Sequence, residues 1–353
     1  MKKDIFIVGT YSAIHFIVDM MCGIIMMALV SPLVTGTSSY VISFVLYNLF
    51  AFAFQLPFGI FADKLNKNAY VSAVGCLFIA VSFAFFKIPL LVAILAGIGN
   101  ALFHVGGGID VLNIADKKAS KPGIYVATGA IGLFLGQKFS SFFINYAIVL
   151  ILVLLASAAF LACAFKKINV EYNVNNSEFK FDKMESKVWL ILTTLFITIV
   201  LRSYIGFAIK YDWKSNLVLS ILFVFGGVFG KMLGGILGDR FGLKKVATIS
   251  LVASAFCLGF AQNIPALGII GILLFNMTMP ITLIMASNIL PNSKGLAFGL
   301  TTLALFVGAV PSLIGLWTSA TFNVLVVMIG IIASAIIFYI GAILYDRLEE
   351  KKW

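Results

Sequence analysis

Twelve apolar stretches, each long enough to cross a bilayer as a helix, follow one another along the chain. They fall at roughly 5–31, 39–60, 69–86, 89–112, 123–144, 146–165, 188–209, 216–238, 246–262, 265–288, 295–317 and 322–345. A hydrocarbon core about 30 Å thick needs ~20 helical residues, and helices satisfy their own backbone groups inside it. The expected fold class is therefore an all-α membrane protein with twelve transmembrane helices. Charged residues make up only 11% of the chain and hydrophobic residues 61%, whereas a soluble domain carries about 25% charged residues. A soluble globular protein, a disordered chain and a disulfide scaffold are all excluded. The loops are too short to hold a catalytic domain, and no enzyme is expected. The first stretch exceeds the roughly 15-residue apolar region of a signal peptide, so it is expected to be retained.

The net charge of +11 reads as topology. With Met1 on the cytoplasmic side, nineteen of the 25 Lys and Arg fall in cytoplasmic segments. Lys87, Lys210 and Lys214 are the outer-loop exceptions, and Lys138, Arg202 and Lys231 lie within spans. This positive-inside bias puts both termini in the cytoplasm, and it removes the case for nucleic-acid binding. Cys22, Cys76, Cys163 and Cys257 all fall inside spans without metal-ligand spacing and read as small apolar fillers. No cofactor and no metal are expected.

The hydropathy pattern breaks once, at 166–187, where KKINVEYNVNNSEFKFDKMESK is polar and Asn-rich. That run reads as a linker between an N-terminal six-helix bundle, 1–165, and a C-terminal one, 188–353. The halves resemble each other. Gly59-Ile60-Phe61-Ala62-Asp63-Lys64-Leu65-Asn66-Lys67 follows the second span, and Gly235-Ile236-Leu237-Gly238-Asp239-Arg240-Phe241-Gly242-Leu243-Lys244 follows the eighth. The step from Gly59 to Gly235, Asp63 to Asp239 and Asn100 to Asn276 is 176 residues each time, half of the 353-residue chain. Internal repeats of this kind build many transporters, with the site near the midplane. A carboxylate at a helix C-terminus opposes the macrodipole and needs either a cation or the N-terminus of another helix. The Gly one turn earlier permits close approach of that neighbour.

Two six-helix halves, a central linker and this paired turn resemble the major facilitator superfamily. The resemblance implies two pseudo-symmetric bundles that rock about a central cavity lined by helices 1, 4, 7 and 10. It also implies that Gly59, Asp63, Lys64 and Lys67, with Gly235, Asp239, Arg240, Gly242 and Lys244, form a conformational latch. The first copy carries Asn66 in place of the usual Gly and Asn68 in place of a basic residue, which implies a looser latch in the N-terminal half.

Ionisable residues deep in a span are expensive, at about 2.5–3.5 kcal/mol on insertion scales, and are functional candidates for that reason. Span 1 holds His15 and Asp19, four apart and so on one helix face. Such a pair is read either as a proton relay or as a hydrogen-bonded pair that fixes the helix. Span 4 holds Asn100 and His104, read as substrate ligands, followed by the glycine run Gly106, Gly107 and Gly108, which serves either close packing or an opened backbone. Arg202 in span 7 and Lys138 in span 5 are the cationic candidates for substrate contact; Arg202 is read alternatively as a salt-bridge partner of Asp19, and Lys138 also fits a snorkelling role. Asn276 is read as a substrate ligand or as helix glue, and Tyr11 as a ring for an organic solute to stack on.

The His-x-x-x-Asp of span 1, Phe103-His104, and the block from Leu290-Pro291 to Gly295 are similar to the fosmidomycin-resistance-like drug exporters. Val105 and Gly136-Gln137 depart from that pattern where Pro is usual. The expected function is secondary transport of a small anionic or zwitterionic organic solute, with proton-coupled export as the leading mode. Import, uniport, or a transporter-like receptor or assembly role stay open. The expected partners are the solute, protons and the bilayer of a bacterial cytoplasmic membrane, with the protein a monomer.

Overall fold

The computed structural model describes residues 2–34, 36–163, 186–316 and 324–350. The expected linker falls almost wholly outside these residues. Among these residues ten helices are long and apolar enough to cross a membrane: α1 Lys2–Leu33, α2 Ser38–Leu65, α3 Asn68–Phe85, α4 Pro89–Asn113, α6 Ser140–Cys163, α7 Ser186–Ala208, α8 Leu217–Phe241, α10 Pro265–Ile289, α11 Lys294–Leu313 and α12 Val324–Glu350. The remaining two expected spans are the helices α5, Ser120–Lys138, and α9, Leu243–Gly259. No strand occurs among the described residues.

The helix ends follow local chemistry. Pro89 and Pro265 open α4 and α10, where a missing N–H does no harm and φ is already set. Asn216 caps α8 by accepting from the amides of Val218 and Leu219 at 3.0 and 3.1 Å. Asn66 closes α2 with φ 49°, a left-handed conformation that Asn tolerates. At the equivalent place after α8, Gly242 takes φ 97°. The α-helical run of α10 breaks at Met277, just before Pro280.

The chain divides into two compact units, and neither is simply one half of the sequence. The first contains α1–α4, α5 from Thr128 onward, α6, and Asn292–Leu303 from the start of α11. The second contains Lys117–Ala127, α7–α10, α11 from Ala304 onward, and α12. Each unit thus takes in one short segment from the opposite half of the sequence.

Within the first unit α3 and α4 pack closely. Gly106 lines that contact, where a Cβ would meet Asn68 and Ser72, while Gly108 lies against the Phe298 ring of α11. α4 runs unbroken through both positions, so the glycines serve packing, as small residues do between membrane helices. Ala62, Val71, Val105 and Ile109 form one buried cluster there. Elsewhere Ile148, Leu152, Leu325 and Ile329 are exposed, as faces turned to lipid are.

Candidate functional site

In the first unit a polar cluster joins α1 and α4. His15 and Asp19 sit on α1 and Asn100 and His104 on α4, each pair one helical turn apart. His15 Nε2 lies 2.7 Å from His104 Nε2 and 3.2 Å from an Asp19 carboxylate oxygen. His104 Nε2 is 3.6 Å from the other Asp19 oxygen, which accepts from Asn100 Nδ2 at 2.8 Å. His104 Nδ1 faces the Asn100 backbone carbonyl at 2.8 Å. A carbonyl only accepts, so Nδ1 carries the hydrogen, and the Nε2 of the neutral ring presents a lone pair to the cluster. The fourth wall is backbone: a Cβ on Gly129 of α5 would run into His15 and Asp19. His15 is buried, while the His104 and Asp19 side chains each retain 13% exposure.

His15 and Asp19 were grouped by sequence as a proton site and His104 and Asn100 as substrate ligands. The structure brings all four into one constellation. Tyr11 is drawn elsewhere. It is fully buried, and its hydroxyl donates to Asp110 at 2.5 Å. Asp110 also accepts from Asn68 Nδ2 at 2.9 Å. Asp110 is buried, not the surface cap that its place near the end of span 4 suggests.

The second unit holds Arg202 of α7, which is 5% exposed. Its Nη2 donates to the Phe275 carbonyl at 2.7 Å, and its guanidinium lies 4.9 Å from the Phe275 ring centroid. Its Nε is buried with no acceptor among the described residues. Asn276, the next residue after Phe275, donates one of its two amide hydrogens to the Ile272 carbonyl of its own helix at 2.9 Å. Lys138 is exposed at the last residue of α5 and is not brought to either cluster.

The two repeated turns lie in the last helical turns of α2 and α8. The Asp63 carboxylate accepts from the Gly295 and Leu296 amides at 2.8 and 3.0 Å, at the start of α11. Asp239 accepts from the Ala119 and Ser120 amides at 2.6 and 2.9 Å, at the start of α5. The partner is a helix N-terminus in both cases. Gly59 faces the Gly295 backbone and Gly235 that of Ala119, too close in each case for a Cβ. Lys244 pairs with Asp346 at 2.5 Å, Arg240 lies 5.3 Å from the Phe241 ring centroid, and Lys64 closes the last turn of α2.

Residue spacing did not reveal Gly129, Phe275 or the Asp110 network. Asn100 and His104 at i and i+4 were the one available signal that α4 presents a face matching His15 and Asp19.

These helices, with their paired helix-end clamps and buried polar clusters, define an integral membrane protein of the major facilitator fold. No family model matches the sequence, and no curated protein matches it. The likeness is to solved structures. FucP in the outward conformation superposes with a TM-score of 0.70 at 12% identity, covering 97% of this chain and 99% of that one; FucP is a fucose:proton symporter of E. coli. The human organic anion transporter MFSD10 gives 0.67 at 12% identity, with 97% and 99% covered. A bacterial homologue of the iron transporter ferroportin gives 0.61 at 9% identity, with 98% and 99% covered.

Proposed function

We propose that the protein is a secondary transporter that moves a small anionic or zwitterionic organic solute across the bacterial cytoplasmic membrane by alternating access. Arg202 carries this reading. A guanidinium buried in a membrane domain is expensive unless an anion or a set of acceptors meets it. Within its unit Arg202 has one carbonyl, one aromatic face and an Nε without an acceptor. A carboxylate or phosphate group on a solute supplies the missing charge and acceptors, and a planar fork suits both.

The sequence contains no nucleotide-binding motif, so the energy comes from an ion gradient. We assign the coupling cation, a proton, to Asp19 with His15. The clamps at Asp63 and Asp239 are the latch, made and released as the transporter cycles. Both termini are assigned to the cytoplasm from the positive-inside bias, and the protein works as a monomer. Outward transport is assigned from the resemblance to drug exporters. The fold does not set direction, since a symporter shares it.

The test is a thermal-shift screen of the purified protein against organic anions, followed by transport of any hit in proteoliposomes. Arg202→Ala should abolish binding of the hit, and export should appear as uptake into inside-out vesicles. A solute bound equally well by Arg202→Ala overturns the reading.

A further inference from the structure

We propose that His15, Asp19 and His104 bind one first-row transition-metal dication of the zinc, cobalt or nickel class. Three potential ligand atoms, two imidazole Nε2 and a carboxylate oxygen, lie within 4.8 Å of one another. A tetrahedral ion with metal–nitrogen and metal–oxygen bonds of about 2.0–2.1 Å sets its donor atoms roughly 3.3 Å apart. The two Nε2 atoms are 2.7 Å apart, and His15 Nε2 lies 3.2 Å from one Asp19 carboxylate oxygen and His104 Nε2 3.6 Å from the other, distances that bracket that value. Shifts of a few tenths of an ångström convert the cluster into a coordination site.

The donors are prepared as metal ligands are. A ligating histidine hands its other ring N–H to a carbonyl or carboxylate, which fixes the tautomer and aims the lone pair. His104 does this through Nδ1 to the Asn100 carbonyl at 2.8 Å. The Asn100 side chain in turn holds Asp19 at 2.8 Å, so one residue orients two of the three ligands. In the metal-free chain a hydrogen on one Nε2 joins the two imidazoles, and a dication replaces it. On one side the Gly129 backbone packs against His15 and Asp19 so closely that a Cβ would clash with both, which holds the two ligands in place. The 13% exposure kept by the His104 and Asp19 side chains gives water access to the cluster as a fourth ligand, the pattern of metal sites that keep a solvent position. Two imidazoles and one carboxylate suit zinc, cobalt, nickel or copper; calcium and magnesium call for shells of six or more oxygens.

This inference does not rest on the anion reading at Arg202. It concerns the same side chains as the coupling cation, for which it names a second occupant. Loss of solute binding in Arg202→Ala leaves it standing, and absence of metal binding leaves the anion reading standing.

The experiment uses the full chain in nanodiscs, stripped with a chelator and titrated with Co²⁺. One equivalent should bind, with visible absorption of nitrogen- and oxygen-ligated cobalt, and Zn²⁺ should displace it. His104→Gln and Asp19→Asn should each weaken binding at least tenfold, with the unfolding midpoint of the metal-free protein unchanged. Cys163→Ser, which removes an exposed thiol, should bind as the parent does. X-ray absorption of the zinc-loaded parent chain should show two imidazole nitrogens around the metal, a readout that needs no variant to fold. Failure to bind, fewer than two imidazoles, or binding that survives both substitutions overturns the proposal.

Discussion

Asp63 and Asp239 cap the N-termini of α11 and α5 with the same pair of bonds, and the donors stand as far apart in sequence as the acceptors. Asp63 to Asp239, Ala119 to Gly295 and Ser120 to Leu296 are all steps of 176 residues. Gly59 and Gly235 repeat the relationship one turn earlier, each against backbone at the same helix start. A helix N-terminus offers unpaired N–H groups and the positive end of the macrodipole. In the sequence the carboxylates look misplaced, at the C-terminal ends of α2 and α8. In the structure they supply what the neighbouring helices lack.

Because the bond lengths of the two clamps match within 0.2 Å, their loss should have matching effects. A hydrogen bond to a charged group contributes about 1.5–3 kcal/mol. Asp63→Asn and Asp239→Asn should each slow turnover in proteoliposomes about tenfold or more while solute affinity changes less than threefold. The substitution of Asn66 for the usual Gly suggests a weaker first copy, but Asn66 takes up the left-handed conformation itself. A much milder Asp63→Asn would mean that the weakness lies in something other than geometry.

The glycines make a sharper test of the same contact. A methyl group at Gly235 meets the backbone of Ala119 and Ser120, and one at Gly59 meets that of Gly295. Backbone cannot swing aside as a side chain can. Gly235→Ala and Gly59→Ala should therefore separate the helices and remove both bonds of the clamp together. Turnover should fall further than in the Asn variants, and the α5 and α11 N-terminal amides should lose hydrogen-exchange protection. Unchanged protection would show that the helices do not meet as described.

Arg202 offers a comparison between charge and shape. Arg202→Lys keeps the positive charge but loses the planar fork that reaches the Phe275 carbonyl and stacks on its ring. Solute binding measured by thermal shift should vanish in Arg202→Ala and weaken by about tenfold or more in Arg202→Lys. Full retention by the Lys variant would reduce the role of Arg202 to a point charge.

How much was legible in the sequence depended on distance along the chain. The spans, the repeat and the i, i+4 pairs are local patterns, and helix periodicity exposes them. His15 and His104 stand 89 positions apart and meet only once α1 lies against α4, and Tyr11 and Asp110 stand 99 apart. The helices shift their boundaries for a similar reason. α2 runs on to Leu65 because Asp63 and Gly59 are held by packing, whereas the apolar pattern ends near residue 60. Gly129 carries no chemistry of its own, and only its neighbours reveal its part.

The Asp110 network gives a prediction about stability. Tyr11 and Asn68 are the hydrogen-bond donors seen at its two carboxylate oxygens. Removing a partner from a buried charged group costs about 1–3 kcal/mol. Tyr11→Phe should lower the unfolding midpoint by several degrees while organic-anion affinity stays unchanged, since Tyr11 is fully buried on Asp110. A loss of affinity without a loss of stability would return Tyr11 to the substrate site.

Asp19 separates coupling from binding. Its carboxylate is held by His15, His104 and Asn100, all within the first unit, whereas Arg202 belongs to the second. Asp19→Asn preserves shape and removes the charge that a coupling cation neutralises. The solute contact proposed at Arg202 is left untouched. Without a cation to bind, a gradient has nothing to act on, yet exchange of solute across the membrane needs only the alternation of the two access states. Asp19→Asn should therefore lose accumulation driven by a pH gradient in proteoliposomes while solute counterflow persists at a substantial fraction of the parent rate. His15→Gln should act in the same direction and less completely, because His104 and Asn100 still orient the carboxylate. If Asp19→Asn accumulates solute as the parent does, the coupling cation binds elsewhere or the protein is a uniporter. If counterflow disappears along with accumulation, Asp19 contributes to the solute site itself.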